Sequence, residues 1–259
     1  MSFSTSLETG RGLRQLLLTP LLLFIVTVWA QEPATRARKV VPESKTTASK
    51  TKPKTPPKPK AITARETREA RERLEALGYW LNADAESFRH ALIAFQKVEG
   101  LKPTGKLAWE DLDVLRTANA PVPKENKRLE DGQIRVEVDL RRQVLFVIDH
   151  ENKVTKVLPV SSGNGKEFKS EGFVRDAITP PGRFNVYNKI KGWKKSPLGM
   201  LYYPNYYLSG LAIHGSTFVP AYPDSHGCIR IPMYAAEPFS QMTTIGMEVL
   251  VYGQPEGKP

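Results

Sequence analysis

The chain has 259 residues, 40% of them apolar and 25% charged, which supports a buried core and excludes a wholly disordered protein. Its net charge of +11 is concentrated: residues 31–65 hold ten Lys or Arg against Glu32 and Glu43, whereas residues 66–259 carry 26 basic and 24 acidic side chains. That near balance excludes a basic nucleic-acid groove in the folded part.

Residues 1–30 have the layout of an export signal. Arg11 and Arg14 precede LLLTPLLLFIVTVW, an apolar run of fourteen followed by Ala30 and Gln31. The run falls short of the ~20 apolar residues a spanning helix needs. A cleaved signal and an uncleaved N-terminal anchor both fit. Either way the expectation is an exported chain, in the periplasm or cell wall, that meets a membrane only through this segment if it stays uncleaved. No cysteine follows the run, which excludes a lipid-modified cysteine anchor.

Residues 31–64 are rich in Lys, Thr and Pro, as in KTTASKTKPKTPPKPK, and hold too little apolar surface to offset chain entropy. They read as a disordered linker, either a plain tether or a stretch drawn to anionic wall polymers. Residues 65–119 turn amphipathic. RETREARERLEALGYW sets Leu74 and Leu77 on one helical face before Gly78, and FRHALIAFQKVEGL spaces Phe88, Ala91, Leu92 and Phe95 helically before Gly100. LAWEDLDVLRTA adds a third helix with Leu112 and Leu115 inward. The runs RLEALGY, AFQKVEGLKPTGKL and EDLDVL resemble the type 1 peptidoglycan-binding domain. That resemblance implies contact with cell-wall polymer through residues 65–119. The alternative is a helical spacer whose FQ and GL are packing residues.

Residues 120–131, containing PVPKEN, read as a second linker. Period-two patterning follows in QIRVEVDL, QVLFVID and KVTKVLPVSSG, then a Pro-Gly turn and strand in TPPGRFNVYN, a helix at MYAAEPFSQM and a last strand at MEVLVYG. Residues 132–253 are thus a mostly β domain.

The stretch SHGCIR, residues 225–230, holds the only cysteine, Cys228. An exported chain normally pairs its cysteines, so a single one is a buried inert residue, an intermolecular link or a reactive thiol. Gly227 permits a tight turn whose backbone N–H groups would hold an oxyanion. A nucleophile needs a base within reach. His90 belongs to the helices and His150 to a polar turn, which leaves His214, at the strand end GLAIHGS, and His226. Zinc held by His214, His226 and Cys228 lacks a fourth ligand at a usual spacing. Arg230 either binds a substrate carboxylate or fixes the loop, the latter favoured.

IHGS followed by SHGCIR resembles the signature of the L,D-transpeptidase catalytic domain. IRVEVDLRRQVLFVI, VLPVSSG, TPPGRFNV and GWKKSPLGMLYYP resemble its other segments in order. The resemblance implies an L,D-transpeptidase-type β-sandwich or barrel, preceded here by a small three-helix all-α domain. It assigns Cys228 as nucleophile, His214 as general base and the Gly215 backbone as its orienter, with Ser225, His226, Gly227 and Arg230 at the remaining motif positions. It implies no metal and no cofactor. Tyr202 and Tyr203, in MLYYPNYYL, are candidates to line the donor cleft, with at least two tyrosines of that stretch expected to be core packing. The loop between His214 and Cys228 is short, so the cover of the site reads as trimmed.

The implied reaction is acyl transfer on peptidoglycan peptide stems through a Cys228 thioester, with release of D-alanine and transfer to an amine. An L,D-carboxypeptidase or a transferase anchoring proteins to peptidoglycan is the enzymatic alternative. A non-catalytic wall-binding protein is the alternative of another class.

Overall fold

The computed structural model describes residues 60–255. The export-like segment and the Lys/Pro/Thr-rich stretch up to residue 59 lie outside the described residues.

Three helices come first: α1 (Ala64–Ala76), α2 (Ala85–Val98) and α3 (Trp109–Thr117). Each start has a local cause. Thr63 and Glu66 form a reciprocal capping box at α1, and Asp84 accepts the Ser87 N–H at α2. Gln96 of the FQ pair is buried and spans the following turn, donating to Asp111 Oδ1 and accepting the Gly105 N–H at 2.9 Å. Its role in this fold is therefore to brace the T-G turn against α3.

Twelve strands follow: β1 (Arg135–Asp139), β2 (Val144–Ile148), β3 (Val154–Pro159), β4 (Glu167–Ser170), β5 (Phe173–Asp176), β6 (Gly182–Asn185), β7 (Asn188–Lys189), β8 (Trp193–Ser196), β9 (Gly199–Leu208), β10 (Leu211–Ser216), β11 (Ile229–Pro232) and β12 (Glu248–Tyr252), with α4 (Met233–Met242) before the last. One sheet has the order β3-β2-β1-β12-β6; the second runs β11-β10-β9-β7, with β8 also on β9, and β4-β5 is a separate hairpin.

Val136, Val138, Leu145, Val147, Val249 and Val251 of the first sheet meet Ile213, Ile229, Ile231 and α4 in one core. The opposite face of β2 and β3, with Val144, Phe146, Ile148 and Val157, is covered by Leu74, Leu77, Leu92, Phe95, Leu112 and Leu115 of the helices. This explains the uninterrupted VLFVI of β2: both of its faces are dry, so no polar residue alternates in. The helices also extend the sheet. Tyr79 bridges β3 at Val157, whose N–H donates to Gly78 O while Trp80 N–H donates to Val157 O. Tyr234 of α4 adds a bond from its hydroxyl to Trp80 O.

The stretch read as a second linker is strapped down. Buried Arg135 donates to Lys127 O and Glu125 O, and Glu137 accepts the N–H groups of Lys124 and Glu125. The helices and the β-sheets are therefore joined by apolar packing, main-chain pairing and a buried charged anchor.

Candidate active site

Strands β10 and β11 are parallel neighbours, in register Ile213↔Ile229 and His214↔Arg230. Side chains alternate along a strand, so with Ile213 and Ile229 in the core, His214, Arg230 and Cys228 all project from the other face. Cys228 immediately precedes β11, and its Sγ lies 4.0 Å from Gly210 O across the sheet. The parallel pairing thus brings together two residues fourteen positions apart in the chain.

His214 is buried, and its Nδ1 lies 2.9 Å from Gly215 O. A carbonyl accepts only, so Nδ1 carries the proton and the lone pair sits on Nε2. Burial pushes the imidazole pKa down to about 4; the Gly215 bond opposes this shift and the Arg230 charge adds to it. Burial pushes the Cys228 thiol up, against the Ala212 backbone bond and the Arg230 charge, which favour thiolate. Both shifts favour the uncharged forms, a thiol on Cys228 and a neutral imidazole on His214.

The turn carrying Cys228 is held from three sides. Ser225 Oγ donates to Cys228 O at 2.5 Å and accepts the Gly227 N–H at 3.0 Å. The N–H groups of Asp224 and Ser225 donate to Ser162 O, and Ser161 exchanges two main-chain bonds with Arg230. Thr179 Oγ1 accepts the Gly163 N–H and donates to Gly227 O at 2.7 Å. Gly227 has φ +124°, and a Cβ there would stand 2.8 Å from Ile178 O, so the position needs glycine twice over.

The other expected residues divide. Gly215 orients His214 and also admits α4, since a Cβ would meet Ala236 Cβ at 2.6 Å. Arg230 pairs with Asp224 at 3.6 Å, the loop-fixing role favoured from sequence. The Gly227 N–H, one of the two expected oxyanion donors, is engaged by Ser225 Oγ. His226 is exposed, its ring 4.8 Å edge-on from Phe168 of the β4–β5 hairpin. That hairpin stands beside the short loop. Among the described residues no cluster of three or more His, Cys, Asp or Glu could hold a metal ion.

Tyr202 and Tyr203 sit elsewhere. Tyr203 turns to α4, its hydroxyl donating to Glu237 at 2.6 Å, and Tyr202 lies between Trp193 and Tyr203 on the core side with Gly215. The tyrosine that shares the Cys228 face is Tyr206, paired with Ala212 and shifted upward by burial and then by the Cys228 charge. Tyr187 flanks it with ring centres 6.2 Å apart. A cleft of about 590 Å³ opens past the His214 end of β10 between Trp193, Met200, Ser216 and Thr217.

Two packed sheets place Cys228 and His214 on one sheet face at a parallel strand junction. Residues 133–251 match the family model of the L,D-transpeptidase catalytic domain, YkuD. The crystal structure of an L,D-transpeptidase from Xylanimonas cellulosilytica is 32% identical, covers 78% of this chain and all of its own, and superposes with a TM-score of 0.66. The chain belongs to the L,D-transpeptidase family. The Xylanimonas likeness extends over about 200 residues, more than the catalytic segment alone. An L,D-transpeptidase from Stackebrandtia nassauensis is 21% identical over 80% of this chain and all of its own, with a TM-score of 0.45. One from Mycobacterium smegmatis is 18% identical over 47% of this chain and 59% of its own, with a TM-score of 0.39. Comparison with curated proteins finds no match.

Proposed function

We propose that the chain is an exported peptidoglycan L,D-transpeptidase whose nucleophile is Cys228 and whose general base is His214. The observation that carries the reading is their placement on one face of adjacent parallel strands, with His214 Nδ1 fixed to Gly215 O. Sγ attacks the carbonyl carbon between the third stem residue and the terminal D-alanine, and its proton passes to His214 Nε2. The Cys228 N–H stabilises the oxyanion. The C–N bond breaks, D-alanine leaves with the proton returned by His214, and a thioester remains. An acceptor amine then attacks the thioester carbon, gives its proton to His214 and displaces the Cys228 sulfur, which regains that proton.

Tyr206 and Tyr187 offer the stem an aromatic wall on the nucleophile's side. Residues 65–119 add contact with the wall polymer. The apolar run before Gln31 supports export to the periplasm or cell wall. Incubation with purified tetrapeptide stems should give a mass adduct on Cys228 equal to the stem less D-alanine, and none on Cys228→Ala. Absence of the adduct on protein with an intact thiol overturns the reading. Chromatography of the products then separates a crosslinked dimer from a tripeptide released to water, and retention of Cys228→Ala protein on insoluble sacculi tests the polymer contact.

A further inference from the structure

We infer that Lys97, on the side of α2 that packs against the catalytic sheet, is a positioning residue for the turn that carries Cys228. The inference rests on the assignment of Cys228 as nucleophile. It makes the helical layer a working part of the site.

Lysine is among the side chains least often found buried, because an ammonium loses its hydration there. Lys97 is buried all the same, and its Nζ donates to two main-chain carbonyls, Gln143 O at 2.9 Å and Val160 O at 3.3 Å. Burial pushes its pKa down to about 7, while the carbonyls favour the ammonium form. Helix-to-sheet adhesion does not need this group, since the surrounding interface is already apolar. What the ammonium adds is direction: it fixes two particular carbonyls.

Those carbonyls lead to the nucleophile. Gln143 ends the β1–β2 turn in a left-handed conformation, φ +56°, and its carbonyl also accepts the Val160 N–H. Its side chain reaches across to the segment after β3: Nε2 donates to Leu140 O and to Ser162 Oγ at 2.8 Å, and Oε1 accepts the Ser162 N–H at 2.8 Å. Ser162 O in turn accepts the N–H groups of Asp224 and Ser225, and Ser225 Oγ holds Cys228 O. Lys97, Gln143, Ser162 and Ser225 thus form one run of hydrogen bonds among buried residues from α2 to the peptide of Cys228. Networks of this kind orient reacting groups without touching substrate, and a misplacement of about 1 Å costs on the order of a hundredfold in rate.

Lys97→Met in the full chain keeps most of the aliphatic stem and removes the donor. Its expected effects are a fall in kcat of about tenfold or more with KM changed far less, and a matching fall in the rate of Cys228 alkylation by iodoacetamide. Leu115→Ala, which loosens the helices with the Lys97 bonds intact, is the control at matched thermal midpoint. It should leave the alkylation rate near wild type. Ser162→Ala, which removes one of the two bonds between Gln143 and Ser162 and so weakens the run further along, should slow alkylation in the same direction, and its combination with Lys97→Met should be less than multiplicative. It also decides the matter if Lys97→Met fails to fold. Wild-type alkylation and kcat in folded Lys97→Met, or equal slowing in Leu115→Ala, overturns the positioning role. Should Cys228→Ala retain transfer activity, the nucleophile assignment itself falls, and this inference with it.

Discussion

Replacing Thr179 with valine should loosen the nucleophile turn while preserving its packing. The side chain is 2% exposed, and its Oγ1 stands where two segments cross, accepting from Gly163 N at 2.8 Å and donating to Gly227 O at 2.7 Å. Valine has nearly the same shape and no hydroxyl, so the substitution leaves one buried donor and one buried acceptor without their partner. Each orphaned group costs about 1–3 kcal/mol, giving a loss of about 2–6 kcal/mol for the pair. Neither backbone can close the gap easily. A Cβ at Gly163 would already stand 2.2 Å from Ala177 O, so the strands at this crossing are in contact without side chains. Thr179→Ser keeps both bonds and loses one methyl, at a cost of about 1 kcal/mol. Urea unfolding followed by tryptophan fluorescence gives the stabilities, and single-turnover acylation gives the effect on chemistry, expected to be larger for Val than for Ser. A Thr179→Val protein within about 0.5 kcal/mol of wild type and with unchanged acylation would refute the reasoning, because effects that small are those of ordinary surface changes.

Gly227→Ala should abolish acylation and destabilise the fold, since φ +124° and the Ile178 O contact both oppose a Cβ, whereas Gly165→Ala, with φ +71° and open space, should cost only about 1 kcal/mol. The acid limb of the acylation pH profile should lie well below pH 6, because His214 stays neutral until about pH 4; a limb at the ordinary histidine value would contradict its burial. Stability should change in the same window. The folded imidazole has the lower pKa, so the unfolded chain binds the extra proton and stability falls as pH drops from about 6.5 to 4. For His214 alone the loss approaches about 3 kcal/mol, and His214→Gln should flatten that part of a stability-against-pH curve. Residues 120–259 expressed alone should aggregate, because Val144, Phe146, Ile148 and Val157 lose their cover; a soluble, cooperatively folding fragment would contradict the packing.

Much of this was written in the sequence, though unevenly. The helices carry their caps and 3.6-residue spacing locally, and SHGCIR with IHGS marks the site because rare residue types coincide there. What periodicity hides is partnership. VLFVI shows that β2 is dry on both faces but not that helices cover one of them, and LGYW does not announce that it will bridge β3. The tyrosines of β9 are placed by a related effect. Tyr202 and Tyr206 are four apart and would share a face on a regular strand, yet the register slips between Ile213 and Gly215, where Tyr203 takes φ +47°. The slip sends Tyr202 to the core side and leaves Tyr206 beside Cys228. A bulge of this kind depends on the partner strand and α4, so no local signal reports it. The β4–β5 hairpin escaped notice because, exposed along β5, it lacks the alternation that marks a half-buried strand.

Burial of the Cys–His pair has a consequence that reaches past the reaction. The same desolvation raises the thiol and lowers the imidazole, so both shifts oppose a resting thiolate–imidazolium pair. A stored thiolate would be a faster nucleophile, but it is also the form that peroxides and disulfides attack. In the proposed reaction, Cys228 held as a thiol would be protected until a bound carbonyl draws its proton to His214 Nε2, with sulfur attack and proton transfer proceeding together. An unpaired cysteine working in the oxidising compartment proposed for this chain needs that restraint. It follows that slow reaction with small electrophiles and efficient acylation by a seated stem are compatible properties of one site.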